Sequence, residues 1–182
     1  MLGEYLSKDE VVLNKHVDWA TGHGIDFFLI NWSGLDYQDE ALMGYFLNAE
    51  LVRDGDIKFA ILYETIWRLK DSKPGWNLSD PMNIGILEKD LLYLQQHYFK
   101  HPSYLRIDNK SLLYVYEGKG FFSDISQVKN LKEKYNVFLV SDHAHPLANP
   151  EDVFRGVEWG EAAKLFDALT PMAGLHDDFM VP

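Results

Sequence analysis

Polar and aromatic side chains follow the apolar runs of this sequence at the points where buried strands would end. In chain order the set is Asn31, Trp32, Tyr63, Glu64, Tyr116, Glu117, Asp142, His143, His145, Thr170 and Met172. Because parallel strands end at one edge of a sheet, we expect these side chains to converge there. Carboxylates hydrogen-bond vicinal hydroxyl groups and aromatic faces stack on apolar rings. The set therefore predicts a polyhydroxylated substrate.

Other kinds of chemistry have weaker signals. Asp142-His-Ala-His145 offers two imidazoles and a carboxylate, but its spacing matches no zinc signature. The chain contains no cysteine and no G-x-S-x-G elbow, so thiolate metal sites, cysteine nucleophiles and this type of serine nucleophile are excluded. We predict no metal and no cofactor.

The connection from residue 64 to residue 80 is long for a loop between a strand and a helix. Connections of more than about 12–15 residues are usually functional or disordered. Trp67 and Trp76 argue against disorder, so this segment is predicted to form a wall of the substrate cleft.

Alternating strands and helices must position these residues. Short apolar runs predict strands at 25–31, 57–63, 112–117, 137–141 and 168–171. Helices are predicted at about 36–53, 81–99, 123–135 and 150–166, the second and fourth opening on prolines. Ser7 and Glu10 resemble a capping box that opens an earlier helix, which ends at residues 22–24. Its predicted apolar face consists of Val12, His16, Trp19 and Ala20.

Repetition of strand and helix indicates right-handed crossovers and a parallel sheet, an α/β fold. A doubly wound nucleotide-binding sheet is disfavoured because neither GxGxxG nor GxxxxGK[ST] occurs in the chain. A (β/α)8 barrel fits the strand ends better, although such barrels typically need about 250 residues. The chain is therefore either part of a barrel or an unusual small sheet.

Composition limits the partners. The 182 residues suit one domain, and 47% hydrophobic content suffices for a core. A net charge of -11 disfavours nucleic acid and anionic membrane surfaces. No apolar run approaches the roughly 20 residues of a membrane span, and residues 1–12 lack a signal-peptide core. If Met1 is the true start, the expected compartment is the cytoplasm.

Three sequence blocks resemble glycoside hydrolase family 99-like proteins. The first combines a His-x-x-Trp-Ala helix with Gly-Ile-Asp-Phe-Phe and a strand that ends in tryptophan. Its matching residues are His16, Trp19, Ala20, Gly24, Ile25, Asp26, Phe27, Phe28 and Trp32. The second block spans residues 101–116, from His-Pro-Ser-Tyr to the strand ending in Tyr116. The third, residues 166–171, is similar to the sixth-strand region of the family.

The resemblance implies a (β/α)8 TIM-type barrel and a retaining endo-glycosidase acting on α-mannosidic linkages. The family's first, aromatic strand would lie before Met1, and its catalytic Asn-Glu-Trp-x-Glu motif would follow the sixth-strand region. We therefore expect residues 1–182 to form a single, incomplete barrel domain containing about strands two to six. The open edges of its sheet would favour self-association.

A late segment carries part of the family's catalytic motif. Glu158-Trp-Gly-Glu161 has the E-W-x-E pattern, but Val157 replaces the leading asparagine. It also precedes residues 166–171, where the family motif follows them, so the segment is predicted to be non-catalytic. Within this chain, Glu64 and Glu117 are the candidate catalytic carboxylates, since glycoside cleavage usually needs two.

The sequence thus predicts a glycoside hydrolase-like domain that acts on, or binds, a mannose-type glycan or polysaccharide. The alternative is a non-catalytic carbohydrate-binding accessory protein of surface polysaccharide assembly. The predicted substrate-binding residues are Asn31, Trp32, Tyr63, Glu64, Tyr116, Asp142 and His143.

Overall fold

The protein forms a mostly parallel sheet with helices packed on one face. The computed structural model describes residues 9–35, 37–69, 78–116, 118, 121, 124–141 and 164–170. Its strands are β1 (Phe27–Trp32), β2 (Lys58–Glu64), β3 (Arg106–Ile107), β4 (Lys110–Tyr116), β5 (Val137–Ser141) and β6 (Ala168–Leu169). The sheet order is β1-β2-β4-β5-β6, with all of these pairs parallel, and β3 pairs antiparallel with β4. The predicted α/β class is confirmed.

The sheet is open in the part of the chain that the structure describes. There, β1 and β6 each pair with a single neighbour, so no barrel closes. This arrangement agrees with the expected incomplete barrel. The edge strand β1 leaves Phe27 43% and Leu29 38% exposed. Self-association through such edges stays a prediction.

All five predicted strands are present, with ends that differ from the prediction by at most two residues. The sequence analysis missed β3, which is too short to produce an apolar run. A two-residue turn joins β3 to β4, and its residues Asp108 and Asn109 have φ of 50° and 63°. Two positive φ values are typical of the type I′ hairpin turn, and Asp and Asn tolerate them better than most residues.

The helices are α1 (Glu10–Gly22), α2 (Tyr37–Gly44), α3 (Glu50–Arg53), α4 (Thr65–Arg68), α5 (Pro81–His97) and α6 (Ile125–Lys134). A 3₁₀ turn, Phe46–Asn48, lies between α2 and α3. Within the described ranges, no helix is both long and apolar enough to cross a bilayer. The helix predicted at 150–166 lies almost entirely outside those ranges.

The first helix differs from its prediction. Its N-cap is Asp9, whose carboxylate accepts hydrogen bonds from the backbone N–H groups of Val11 and Val12, at 3.0 and 3.3 Å. The predicted cap, Ser7, lies outside the described residues. The buried residues of α1 are Val12, Val17 and Ala20, whereas Trp19 is 44% exposed. The predicted apolar face is therefore wrong for Trp19.

The single helix predicted at 36–53 is broken in two places. Tyr45 leaves helical geometry with φ of −130°, and Ala49 is extended with φ of −57° and ψ of 135°. Gly44 and Asn48, which directly precede these breaks, are poor helix formers. The breaks let Leu47, Ala49 and Val52 all reach the core.

Aspartate residues cap both later helices, and the cap of α5 agrees with its predicted proline opening. Asp80 caps α5 by accepting a 2.8 Å hydrogen bond from the backbone N–H of Met82, with Pro81 in the first turn. Asp124 caps α6 through the backbone N–H of Gln127 at 3.1 Å. Both helices pack on the same face of the sheet as α2 and α3.

Alternating strand residues divide between two cores. Phe59, Ile61, Leu113 and Leu139 belong to the large core that the strands form with the helices. Their neighbours on the opposite face form a smaller cluster, which consists of Ala60, Leu112, Tyr114 and Val140. Since side chains alternate along a strand, every second residue at the strand ends also faces away from the helices.

Candidate functional site

Three predicted site residues lie on the face of the sheet that is turned away from the helices. Glu64 is the last residue of β2 and Tyr116 is the last residue of β4, while Asn31 is the second-to-last residue of β1. Glu64 is directly beside Tyr116 in the register, which places their Cα atoms on strands about 4.8 Å apart. Asn31 pairs with Leu62, which lies two residues before Glu64 on β2 and on the same face of the sheet. The sheet therefore brings a carboxylate, a phenol and an amide together.

The accessibility of these three residues differs. Asn31 is exposed, Tyr116 is partly buried, and Glu64 is only 7% exposed. Backbone pairing on β2 and the start of α4 fix the backbone of Glu64 from both sides. We refer to Asn31, Glu64 and Tyr116 as the strand-end site.

A side-chain hydrogen bond ties the turn after β2 to β4. The hydroxyl of Thr65, which is fully buried, donates to the carbonyl oxygen of Tyr116 at 2.6 Å. Thr65 directly follows Glu64 and begins α4. The bond therefore fixes the position of Glu64 relative to Tyr116.

A second polar contact extends this face of the sheet toward β6. The hydroxyl groups of Tyr114 and Thr170 lie 2.7 Å apart, and the backbone N–H of Thr170 donates to the carbonyl of Ser141 at 2.9 Å. Thr170 was among the predicted strand-end residues. The contact links Tyr114 on β4 to Thr170, which directly follows β6, across the intervening strand β5.

Trp32 and Tyr63 lie on the opposite face of the sheet, among the helices. Both are fully buried, and their ring centroids are 5.9 Å apart. Because side chains alternate, Trp32 points away from Asn31 and Tyr63 points away from Glu64. Their predicted roles in substrate binding receive no support from this placement and stay predictions.

The indole of Trp32 belongs to a group of donors around Asp39. Its Nε1–H donates to Oδ1 of Asp39 at 2.7 Å, and the hydroxyl of Tyr98 donates to the same oxygen. The hydroxyl of Tyr93 donates to Oδ2 at 2.7 Å. Asp39, on α2, is 7% exposed, so its charge is stabilised by these hydrogen bonds.

A second buried carboxylate, Asp90 on α5, organises the other half of this group. The hydroxyl of Tyr63 donates to Oδ2 of Asp90 at 2.7 Å. Arg68 adds two hydrogen bonds of 2.6 Å, from Nε to Oδ2 and from Nη2 to Oδ1. The guanidinium carbon of Arg68 is also 5.9 Å from the Trp32 ring, which joins the two halves. We call these seven residues the rear polar cluster: Trp32, Asp39, Tyr63, Arg68, Asp90, Tyr93 and Tyr98.

The electrostatics of the rear polar cluster keep its phenols protonated. Burial, followed by the nearby Asp90 charge, raises the pKa of Tyr63 well above its ordinary value. Burial and the hydrogen bond to Asp39 raise the pKa of Tyr93 to about 12, and the same causes raise the pKa of Tyr98 further. The hydrogen bond to Asp90 raises the pKa of Arg68. At neutral pH these groups are therefore hydrogen-bond donors.

Sequence reasoning missed both carboxylates of this cluster, although one signal was available. Asp90 lies between Leu87, Leu91 and Leu94 on the buried stripe of α5. A charged residue in such a stripe indicates a buried partner of opposite charge or several hydrogen-bond donors. The partner, Arg68, comes from a turn 22 residues earlier, and no local pattern reveals it.

Several predicted site residues lie outside the described residues. These are Glu117, Asp142, His143, His145 and Met172, together with Glu158 and Glu161 of the late motif. Among the residues that the structure describes, no three His, Asp or Glu side chains form a group that could hold a metal ion.

The fold is similar to that of solved glycoside hydrolases. A GH99 endo-α-mannosidase from Bacteroides thetaiotaomicron, in complex with BIS-TRIS-propane, superimposes with a TM-score of 0.62 at 15% identity, covering 92% of this chain and 47% of that one. A glycoside hydrolase-like protein gives 0.55 at 17% identity, covering 77% and 45%. Another structure of the Bacteroides thetaiotaomicron enzyme gives 0.53 at 17% identity, covering 78% and 40%.

The chain spans less than half the length of each of these three proteins. No protein-family model and no curated protein sequence matches it. At 15–17% identity the likeness is one of fold, and at that level it supports the resemblance found in the sequence. The chain has an α/β fold that is similar to the fold of these solved proteins and compatible with part of a TIM barrel.

Proposed function

We propose that this chain is a glycoside hydrolase-like domain that binds a mannose-type glycan at the strand-end site. The observation that carries the proposal is the position of Glu64 beside Tyr116, on the face turned away from the described helices, at the carboxyl ends of parallel strands. Active sites of TIM barrels form at this end of the strands. The likeness in fold to an endo-α-mannosidase supports the choice of sugar.

The three residues offer complementary chemistry to a sugar. The carboxylate of Glu64 accepts hydrogen bonds from hydroxyl groups, the amide of Asn31 both donates and accepts, and the phenol of Tyr116 can do either. Hydrogen bonds to a charged group are stronger than neutral ones. Glu64 is therefore expected to contribute most to affinity.

Hydrolysis would need a second carboxyl group, because glycosidases work with a pair. Glu64 supplies one carboxyl group within the described residues, and Glu117 is the predicted second. Glu64 is therefore assigned to glycan binding, and hydrolysis of the glycan is tested by measurement. A carbohydrate-binding protein without turnover would use the same three residues.

Calorimetry with α-mannan-derived oligosaccharides tests the proposal, with cello-oligosaccharides as the comparison sugar. The wild type should bind the α-mannosides, and Glu64→Gln should weaken binding by about 10- to 100-fold, since it removes a charged acceptor without changing volume. The matched control is Glu88→Gln, an exposed carboxylate on α5. Equal affinity of Glu64→Gln and wild type, or no binding of any α-mannoside, would overturn the proposal. Release of reducing ends in the same samples distinguishes a hydrolase from a binding protein.

A further inference from the structure

Trp67 is a large, exposed aromatic side chain on the short helix that directly follows Glu64 of the strand-end site. It is 80% exposed, compared with 44% for Trp19 and 0% for Trp32, the other described tryptophans. It lies on α4, three residues after Glu64, which is the N-cap of that helix. A single exposed apolar side chain needs no explanation by itself. The surroundings of Trp67 make it different.

The backbone on both sides of Trp67 is anchored. On the N-terminal side, the buried Thr65 donates its 2.6 Å hydrogen bond to the carbonyl of Tyr116. On the C-terminal side, Arg68 makes its paired hydrogen bonds to Asp90. Leu69 is 4% exposed, and its backbone N–H closes the turn on the carbonyl of Thr65 at 2.9 Å.

These anchors restrict the backbone at Trp67 and leave its ring exposed. A segment whose backbone is already ordered loses less conformational entropy when a ligand binds, so pre-organisation improves affinity. An indole also presents a wide apolar face with little rotamer freedom. The apolar faces of pyranose rings, formed by their C–H groups, are suited to such a surface.

We propose that Trp67 is an aromatic stacking platform for a sugar ring that neighbours the one held by Glu64. This inference rests on the proposed glycan-binding function and adds a second point of contact to it. Glu64 binds hydroxyl groups and Trp67 binds a ring face, so the ligand must extend over at least two sugar units. The preferred ligand is therefore an oligosaccharide rather than a single mannose.

The test compares Trp67→Ala, Trp67→Phe and the control Trp19→Ala in titrations with α-mannotriose and with mannose. Trp19 is also exposed but lies on α1, where it lines a groove of about 610 Å³ with residues of α3. Trp67→Ala should lower the affinity for the trisaccharide about tenfold, with little effect on mannose. Trp67→Phe should lose less, and Trp19→Ala should bind like the wild type. The thermal midpoint of Trp67→Ala should equal that of the wild type, since an exposed side chain is removed.

Tryptophan fluorescence gives an independent readout. Adding α-mannotriose should change the emission of the wild type and of Trp19→Ala, and this change should be lost in Trp67→Ala. If the wild type and Trp67→Ala bind the trisaccharide equally while Glu64→Gln binds it more weakly, the stacking role of Trp67 is wrong and the proposed function stands. If Trp19→Ala is weakened as much as Trp67→Ala, the platform is also wrong. If the wild type binds no α-mannoside, both proposals fall.

Discussion

The guanidinium of Arg68 and the carboxylate of Asp90 form a two-point ion pair, with both hydrogen bonds at 2.6 Å. Asp90 is almost completely buried on α5, whereas the side chain of Arg68 is 31% exposed at the end of α4. Planar, paired hydrogen bonds of this kind fix orientation as well as distance. The pair thereby attaches the turn that follows Glu64 to the helix layer.

Replacing Asp90 by Asn should destabilise the protein. The change leaves the guanidinium without its charged partner, a loss of about 3–5 kcal/mol for fully buried pairs. Because Arg68 is partly exposed, solvent reduces the expected loss to about 2–3 kcal/mol in the free energy of unfolding. Urea denaturation with linear extrapolation measures it.

The control for this prediction is Glu88→Gln on the same helix. Glu88 pairs with Lys134 at 2.7 Å, but both side chains are about half exposed. Exposed pairs contribute little to stability, so the unfolding midpoint of Glu88→Gln should equal that of the wild type. Equal losses in the two variants would contradict the special role of the buried pair.

Tyr93→Phe removes a single hydroxyl group from the rear polar cluster. The lost hydrogen bond to Oδ2 of Asp39, at 2.7 Å, should reduce the free energy of unfolding by about 1–2 kcal/mol. A double-mutant cycle with Asp39→Asn should give a coupling energy of at least about 0.5 kcal/mol. Additive effects of the two substitutions would show that the hydrogen bond contributes nothing.

Replacing glycine by alanine should change the stability of the protein in opposite directions at two positions. A Cβ at Gly118 would collide with the hydroxyl of Ser141 and would approach the Ser141 Cβ to 2.9 Å and the ring of Phe166 to 3.2 Å. Overpacking of this kind costs about 1–3 kcal/mol. A Cβ at Gly85, inside α5, would meet no atom within 4 Å. Gly85→Ala should therefore stabilise the helix by about 0.5–1 kcal/mol.

Thermal unfolding of both glycine variants checks this pair of predictions. The midpoint should fall for Gly118→Ala and rise for Gly85→Ala relative to the wild type. A rise for Gly118→Ala would mean that the turn after β4 does not approach β5 as closely as the structure has it.

Stability should decrease at alkaline pH because of the buried phenols. The pKa of Tyr93 is raised to about 12, above an unfolded value of about 10. Between these pH values Tyr93 has released its proton in most unfolded chains and keeps it in the native protein. The unfolded state then binds fewer protons, so the free energy of unfolding falls as pH rises. Below about pH 10 this contribution is fully present.

Urea midpoints measured from pH 8 to pH 12 test the alkaline effect. The decline should begin near pH 10, and Tyr93→Phe should decline less steeply over the same range because one of the shifted groups is absent. Absorbance of ionised tyrosine should rise only partly before unfolding, since the pKa values of Tyr63 and Tyr98 are raised as well. Identical slopes for the variant and the wild type would contradict the assignment to Tyr93.

Local sequence patterns were sufficient for much of the fold. Short apolar runs located all five parallel strands, and the Asp80-Pro81 signal located the start of α5. These features depend on neighbours in the chain, because strand burial and helix capping involve residues only a few positions apart. The prediction of one long helix at 36–53 was wrong because this segment depends on contacts with distant residues. Burial of Ala49 and Val52 in the core outweighed helical continuity.

The composition of the candidate site was also readable, but its geometry was not. Asn31, Glu64 and Tyr116 were identified at strand ends, yet Trp32 and Tyr63 were grouped with them although they face the helices. In strands buried on both faces, hydrophobicity does not show which face the helices cover. The sequence therefore does not reveal which of two consecutive residues faces the helices. The helix packing decided which member of each pair points toward the open face of the sheet.

The rear polar cluster depended entirely on the tertiary structure. Asp39 and Asp90 acquire their partners from segments 7 to 59 residues away, through contacts that exist only once the helices pack on the sheet. The sequence by itself determined the five parallel strands, the positions of α1, α5 and α6, and the kinds of side chain available for chemistry. Only packing decided which of these side chains are buried as structural donors and which face away from the helices, because burial depends on contacts between residues far apart in the chain.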